Sequence, residues 1–451
     1  MDSYEQLISL GLLTTTAPRY TSYPTTPNFT GDVDGARVAG WLREVSAAEP
    51  VSLYLHIPFC VRLCWFCACR TQGLSSTGPL EAYLDTLLRE VDHVAGLLPP
   101  GVEVGHLHLG GGTPTILSAG QLTRLFTRLR GAFAIRADAE VAVEIDPTCV
   151  DARKIDALVG GGLTRASIGI QDFAPEVQAA IGRRQSLEAT REVCAALRAA
   201  GVQGLNTDIV YGLPHQSWAR LERTLRAVIA LAPDRIALFG YAHVPWMARR
   251  QRVIPEDALP DAPARLRATL RAGEVLEAAG YLPIGIDHFA TPTDAMARAQ
   301  TEGRLRRNFQ GYTDDRSPTL IALGASGVSR FAEGYAQNAP ATAAYQGRVR
   351  AGELATCRGH RLSLEDQVRA AAIEALLCTF TLDLTALTAR FGDFAGVLFP
   401  DCQRVARTFG EAVDWTGTRM TIQTHPRALA RMIATEFDAY ARTEGHHSAA
   451  V

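Results

Sequence analysis

From Val51 onward the chain alternates short, continuous apolar runs with longer stretches in which apolar residues recur every three or four positions. Val51–Ile57 reads as a strand, and a helical period follows over residues 80–98. Residues 106–109 form the next strand, then comes a helix over 121–133 opened by Ser118 and Gln121 as a capping box. The alternation continues with strands at 141–145, 166–170, 205–210 and 235–240, with a helix after Asp151 and another over 217–231 among them. Six strands, nearly all followed by helices, predict parallel βα units that close into a full or partial barrel. His56, Gly110, Glu144, Gln171, Asp208 and Tyr241 fall where these strands run out, which is the end that carries chemistry in βα barrels.

The flanks read differently. Residues 18–27 are punctuated by Pro18, Pro24 and Pro27 and have neither helical nor strand period, so composition alone makes them a linker. After about Thr356 the pattern turns helical: Ser363 and Asp366 cap a helix over 364–377, residues 413–415 and 420–422 form a small hairpin about Gly417, and 425–440 reads as a last amphipathic helix. The expected organisation is an N-terminal extended segment (1–35), a partial barrel with an extension (36–350) and a small, mainly helical C-terminal domain (351–451).

With 451 residues, 47% hydrophobic and 20% charged, the chain has an ordinary globular composition. A formal net charge of −2 gives no nucleic-acid-binding surface, and no apolar run is long enough to span a bilayer. The start lacks the basic region of a signal peptide, so a cytoplasmic protein is expected.

The most specific chemistry lies just after the first strand, where Cys60, Cys64 and Cys67 stand at C-x3-C-x2-C spacing with Cys69 close behind. Thiolates suit iron–sulfur clusters or zinc, and three of them can hold a [4Fe–4S] cube while leaving one iron open. Structural zinc usually takes two ligand pairs, and Cys149, Cys194, Cys357, Cys378 and Cys402 are scattered singly. One strand later, Gly110-Gly111-Gly112-Thr113 forms a turn where a backbone can approach a ligand closely.

The cysteine spacing resembles that of radical S-adenosylmethionine (SAM) enzymes. Over nearly its whole length the chain resembles the oxygen-independent coproporphyrinogen III oxidase (coproporphyrinogen dehydrogenase) family of haem biosynthesis. The likeness rests on residues 18–24, 54–60 through Cys69, 110–115, 167–173, 208–214, 241–243 and 308–312. It implies an α/β fold built on a partial (β/α)6 TIM-like radical SAM barrel. It implies that Cys60, Cys64 and Cys67 ligate the [4Fe–4S] cluster and that Cys69 does not. Tyr54, Gly111, Glu144 and Val328 match positions around a cluster-bound SAM. Phe66, Gly112, Thr113, Gln171, Arg183, Asp208 and Ala242 match positions around a second SAM. Tyr54, Cys69 and Arg19 are the catalytic candidates, Arg19 and also Arg183 because a guanidinium can grip a substrate carboxylate bidentately.

The implied reaction turns two propionates of coproporphyrinogen III into vinyl groups, giving protoporphyrinogen IX, through a 5′-deoxyadenosyl radical. A flavodoxin- or ferredoxin-like electron donor and a monomeric chain are the expected partners and state. The leading rival is a haem chaperone that keeps the cluster without decarboxylation; Cys69 and the proline–tyrosine leader speak against it. A radical SAM methyltransferase is a third class. Ala68 stands where the family commonly has Gly, Trp65 where it commonly has Tyr, and the tail from His446 to Val451 departs from the family's aromatic-Ser-basic ending.

Overall fold

The computed structural model describes residues 3–441 apart from Ser75, so the atypical tail at 446–451 lies outside the described residues. Seven strands run parallel: β1 (Val51–Ile57), β2 (Glu103–Gly111), β3 (Ala134–Ile145), β4 (Arg165–Gln171), β5 (Gly204–Tyr211), β6 (Arg235–Gly240) and β7 (Leu320–Leu323). Their spatial order is β7-β1-β2-β3-β4-β5-β6. The sheet continues antiparallel beyond β7 through Val328–Arg330, Gly334–Asn338 and Thr356–Arg361, and beyond β6 through His288–Ala290 and Leu282–Ile284. The first six strands are those expected from the sequence. β7 is not, because four apolar residues carry no period of their own; register with β1 (Tyr54↔Ala322) creates the strand.

Strand alternation separates the two faces. Leu53, Leu55 and Ile57 of β1, Leu107 and Leu109 of β2, and Val141, Val143 and Ile145 of β3 are buried in the main core under the helices. Those helices start where polar side chains cap them: Ser118 with Gln121, Asp151 at Lys154 N, Ser186 at Ala189 N and Ser217 at Arg220 N.

The opposite alternation turns polar residues inward. At the N-terminal end of the strands Arg165 bonds Glu140 (2.9 Å) and Asn206 (3.0 Å), and Arg235 bonds Asp294 (2.7 Å) and Asp314 (3.3 Å). Such a network closes the floor with paired charge. Tyr54, His56, His108, Glu144 and Asp208 form the layer above it, toward the C-terminal ends.

A second core contains Leu376, Val405, Met420, Leu429 and Ile433 together with Leu7, Leu12, Tyr20 and Tyr23 from the chain's start. The leader is therefore not a free linker. The Tyr20 hydroxyl donates to Asp438 (3.0 Å) and the Tyr23 hydroxyl accepts from Ala439 N (3.0 Å). Burying an aromatic ring removes roughly 150–250 Å² from water, about 4 kcal/mol or more at 25 cal/mol per Å². Composition hid this, since the tyrosines follow no regular period. The final helix is Pro426–Thr435 rather than 425–440, because Phe437 is fully buried and Asp438 turns to meet the leader. The hairpin Val413–Trp415 with Arg419–Ile422 gains a third strand, Thr381–Asp383. No helix among the described residues is long and apolar enough to cross a membrane.

Candidate active site

β1 delivers the chain to the barrel rim, where Phe59–Cys60 pairs with Gln72–Gly73 and closes the cysteine segment into a loop. Contacts distant in sequence fix that loop. Trp65 N donates to Ile181 O (2.9 Å), Gln251 Nε2 to Phe66 O (2.7 Å), and Arg250 to the Thr71 hydroxyl (2.8 Å) and carbonyl (2.9 Å). Each of the three sulfurs at the motif spacing receives at least one donor. Thr113 Oγ1 lies 3.7 Å from Cys60 Sγ, Arg183 Nη1 3.6 Å from Cys64 Sγ, and Cys69 N 3.4 Å from Cys67 Sγ. Burial pushes the Cys60 thiol up to about 11. A hydrogen bond from Cys69 favours the thiolate of Cys67 and correspondingly raises Cys69.

Three thiols with a donor apiece make a set that fits an iron–sulfur cluster, whose thiolates accept such bonds. Among the described residues no three His, Cys, Asp or Glu side chains are grouped so as to hold a single metal ion. Sulfurs that each take a separate iron stand farther apart than the ligands of one ion.

The glycine turn lies against this loop. Gly112 N donates to Ile57 O (2.7 Å) and Thr113 N to Phe59 O (2.9 Å), so the end of β2 holds the end of β1. A Cβ on Gly112 would sit 2.5 Å from Phe59 O and 2.9 Å from Ile57 O, and Gly111 has φ +113°. Neither position accepts a side chain without moving backbone.

Gly111 N donates to Glu144 Oε2 (3.1 Å), and His108 Nε2 lies 3.4 Å from Glu144 Oε1. Burial opposes the Glu144 charge, but His108 and the Gly111 N–H outweigh it and hold the carboxyl below its ordinary value. Tyr54 Oη and His56 Nδ1 are 3.0 Å apart, and burial lowers the His56 pKa. Asp208 is half-buried; burial first, then Glu144, pushes it up to about 7.

Arg183 joins the cysteine loop to the barrel. Besides Cys64 it reaches Asp146 (3.2 Å), Gly169 O (2.7 Å) and Gln185 Oε1 (3.1 Å). Burial opposes its charge, and Asp146 and Cys64 more than compensate. Gln171 has φ +69°, an uncommon conformation for a side-chain-bearing residue, and its amide lies over Gly169 beside Arg183. Gln251 ties Phe66 to Ala242, whose carbonyl it bonds at 3.0 Å.

Most of the residues singled out in the sequence thus meet at one rim. Arg19 stands apart from them, reaching Gly240 O (2.6 Å) on the outer side of the sheet. Val328 packs with Phe29 and Tyr335, and the strand register sets it beside Ala322, level with Tyr54. His108 was legible as the i+2 partner of His106 on an inward face. Asp146, Arg250 and Gln251 carry no local signal, since tertiary packing alone brings them to the loop.

The radical SAM superfamily model matches residues 54–228. An oxygen-independent coproporphyrinogen III oxidase of Paracoccus denitrificans is 49% identical over 451 residues, 100% of both chains. One of Cereibacter sphaeroides is 50% identical over 452 residues, again 100% of both. The solved coproporphyrinogen III oxidase of Escherichia coli, described as a radical SAM enzyme, superposes with a TM-score of 0.90 at 36% identity, over 94% of this chain and 97% of that one.

Proposed function

Since the chain belongs to the oxygen-independent coproporphyrinogen III oxidases of the radical SAM superfamily, we propose that it converts two propionates of coproporphyrinogen III into vinyl groups, each with loss of CO2, one hydrogen atom and one further electron, giving protoporphyrinogen IX. It is an oxidoreductase. The observation that carries the reading is the three-cysteine loop at a polar barrel rim, each sulfur supplied with its own donor.

Cys60, Cys64 and Cys67 would hold the [4Fe–4S] cluster. When bound, cluster and SAM together supply a 5′-deoxyadenosyl radical, which removes a hydrogen atom from the β-carbon of a propionate. The chain's own residues position and shield. Gly111 and Gly112 leave room for a ligand's methionine end, and Glu144, fixed by His108 and the Gly111 N–H, presents an ionised carboxylate to an ammonium or ribose. Tyr54 packs its ring 5.7 Å from His108 and narrows the same space. Phe66, Gly112, Thr113, Gln171, Arg183, Asp208 and Ala242 would surround a second SAM, and Cys69, exposed on the loop, donates its backbone N–H to Cys67 Sγ. Val328, level with Tyr54, would flank the cluster-bound SAM, and Arg19 acts from farther off. The leader and the C-terminal domain, locked together through Tyr20 and Tyr23, cover the barrel and keep water and oxygen from a radical.

All nine cysteines are unpaired, which supports a reducing, cytoplasmic setting. The electron would come from a flavodoxin- or ferredoxin-like donor. The test is anaerobic incubation with SAM, reductant and coproporphyrinogen III. Vinyl product and 5′-deoxyadenosine are expected; fully iron-loaded protein that binds haem stoichiometrically yet forms neither would overturn the reading in favour of a haem chaperone.

A further inference from the structure

A cavity of about 440 Å³ lies outside the barrel. Strand alternation puts it there: Leu238 and Gly240 of β6 and Tyr211 of β5 line it, and Leu238 and Tyr211 belong to the outer, helix-covered core. Helix Ala262–Ala278 forms one wall, the start of helix Pro426–Thr435 a second, and the leader at Arg19 a third. None of the cysteines at the rim reaches it. Its size is that of a small-molecule site.

Four arginines from these three segments converge on it: Arg19, Arg265, Arg427 and Arg431. Neutral carbonyls hold them in place. Arg19 bonds Gly240 O (2.6 Å), Arg265 bonds Tyr241 O (2.7 Å), Arg427 bonds His288 O (3.2 Å), and Arg431 bonds Pro18 O (3.2 Å). Arg427 Nη1 is buried with no hydrogen-bond partner, while its guanidinium lies 4.5 Å from the Phe289 ring centre. Burial, and then the charge of Arg19, depress Arg431 to about 10, which is how crowded like charges behave. Three carboxylates also line the space. Asp287 is turned to His288 (2.7 Å), and Glu274 and Glu277 are exposed at the solvent edge. A helix also begins at the wall, adding its positive end.

We propose that this cavity binds an organic anion through two or more carboxylates, received by Arg427, whose Nη1 has no hydrogen-bond partner, together with the other arginines that line the space. The chemistry has two sources: a free di- or tricarboxylate, or propionate arms of the tetrapyrrole. The second rests on the function proposed above; the first does not. Either ligand would pin leader, barrel and C-terminal domain to one another, because each contributes an arginine.

The experiment is anaerobic calorimetric titration of iron-loaded protein with citrate, inorganic phosphate and coproporphyrin III, for the wild type, Arg427→Met, Arg427→Lys and Glu274→Gln. Citrate binding that weakens at least tenfold in Arg427→Met, less in Arg427→Lys, and tightens about threefold in Glu274→Gln supports the site. Competition between citrate and coproporphyrin III assigns it to propionates; independent binding assigns it to a free polycarboxylate. Glu274 is exposed, so its variant folds whatever happens to Arg427→Met. Phosphate binding as tight as citrate overturns the carboxylate assignment. Absence of any citrate or coproporphyrin binding that responds to Arg427 and Glu274 overturns the site, and product formation by that same protein shows the enzyme reading standing without it.

Discussion

Replacing Arg183 by Met keeps the unbranched apolar stem of the side chain and deletes one guanidinium that serves four groups. The attraction to Asp146 at 3.2 Å amounts to about 5 kcal/mol gross at an effective dielectric of 20. Removing one partner of a buried pair typically costs about 3–5 kcal/mol, because the other charge is stranded. Asp146 Oδ1 keeps Thr148 N (2.9 Å) and the Thr148 hydroxyl (2.7 Å), so Oδ2 alone is abandoned. Gly169 O loses a donor at 2.7 Å, worth about 1 kcal/mol or more. These losses overlap, and the expected total is about 4 kcal/mol. Arg183→Lys keeps the charge but not the fork and should lose about half as much. Anaerobic urea unfolding should show the barrel transition of Arg183→Met falling by more than about 1 M at a slope of about 3 kcal/mol per molar. Iron content should fall with it, because Cys64 loses the donor at 3.6 Å. A loss below about 1 kcal/mol with full iron would refute the claim that Arg183 joins loop to barrel.

Gly112→Ala drives a methyl against Phe59 O and Ile57 O and breaks the bonds that join the turn to the cysteine loop; it should cost about 2–3 kcal/mol and weaken SAM binding at least tenfold, as read by equilibrium dialysis. Cys64→Ala should abolish the cluster's visible absorbance, whereas Cys69→Ala should keep its iron and lose turnover; equal iron loss in both would contradict the three-ligand assignment. Asp208 is raised from 3.8 to about 7, so the folded chain holds its proton longer than the unfolded one, and its contribution to stability falls as pH rises between those values. Asp208→Asn should therefore leave stability unchanged near pH 4 and raise it by roughly 2 kcal/mol above pH 7, discounted for solvent in the barrel; a parallel pH profile for the two proteins would count against the buried carboxyl.

Much of this was legible in the chain. Long apolar runs such as Val51–Ile57 are strands because burial on one face and partners on both sides favour them independently of detail, and Ser118 and Ser363 cap their helices through local hydrogen bonds. The cysteine spacing is local too. What escaped depends on distant partners. Leu320–Leu323 becomes a strand only beside β1, and Tyr20 and Tyr23 become core residues only because the C-terminal domain folds over them. Gln251 holds the cysteine loop from 185 positions away along the chain, a separation over which no periodicity speaks.

The account stands most directly on hydrogen transfer. Coproporphyrinogen III deuterated at the propionate β-carbons, incubated anaerobically with the protein, SAM and reductant, should yield 5′-deoxyadenosine carrying one deuterium for each vinyl group formed, read by mass spectrometry. Vinyl groups accompanied by unlabelled 5′-deoxyadenosine, or label transferred without vinyl product, would contradict it.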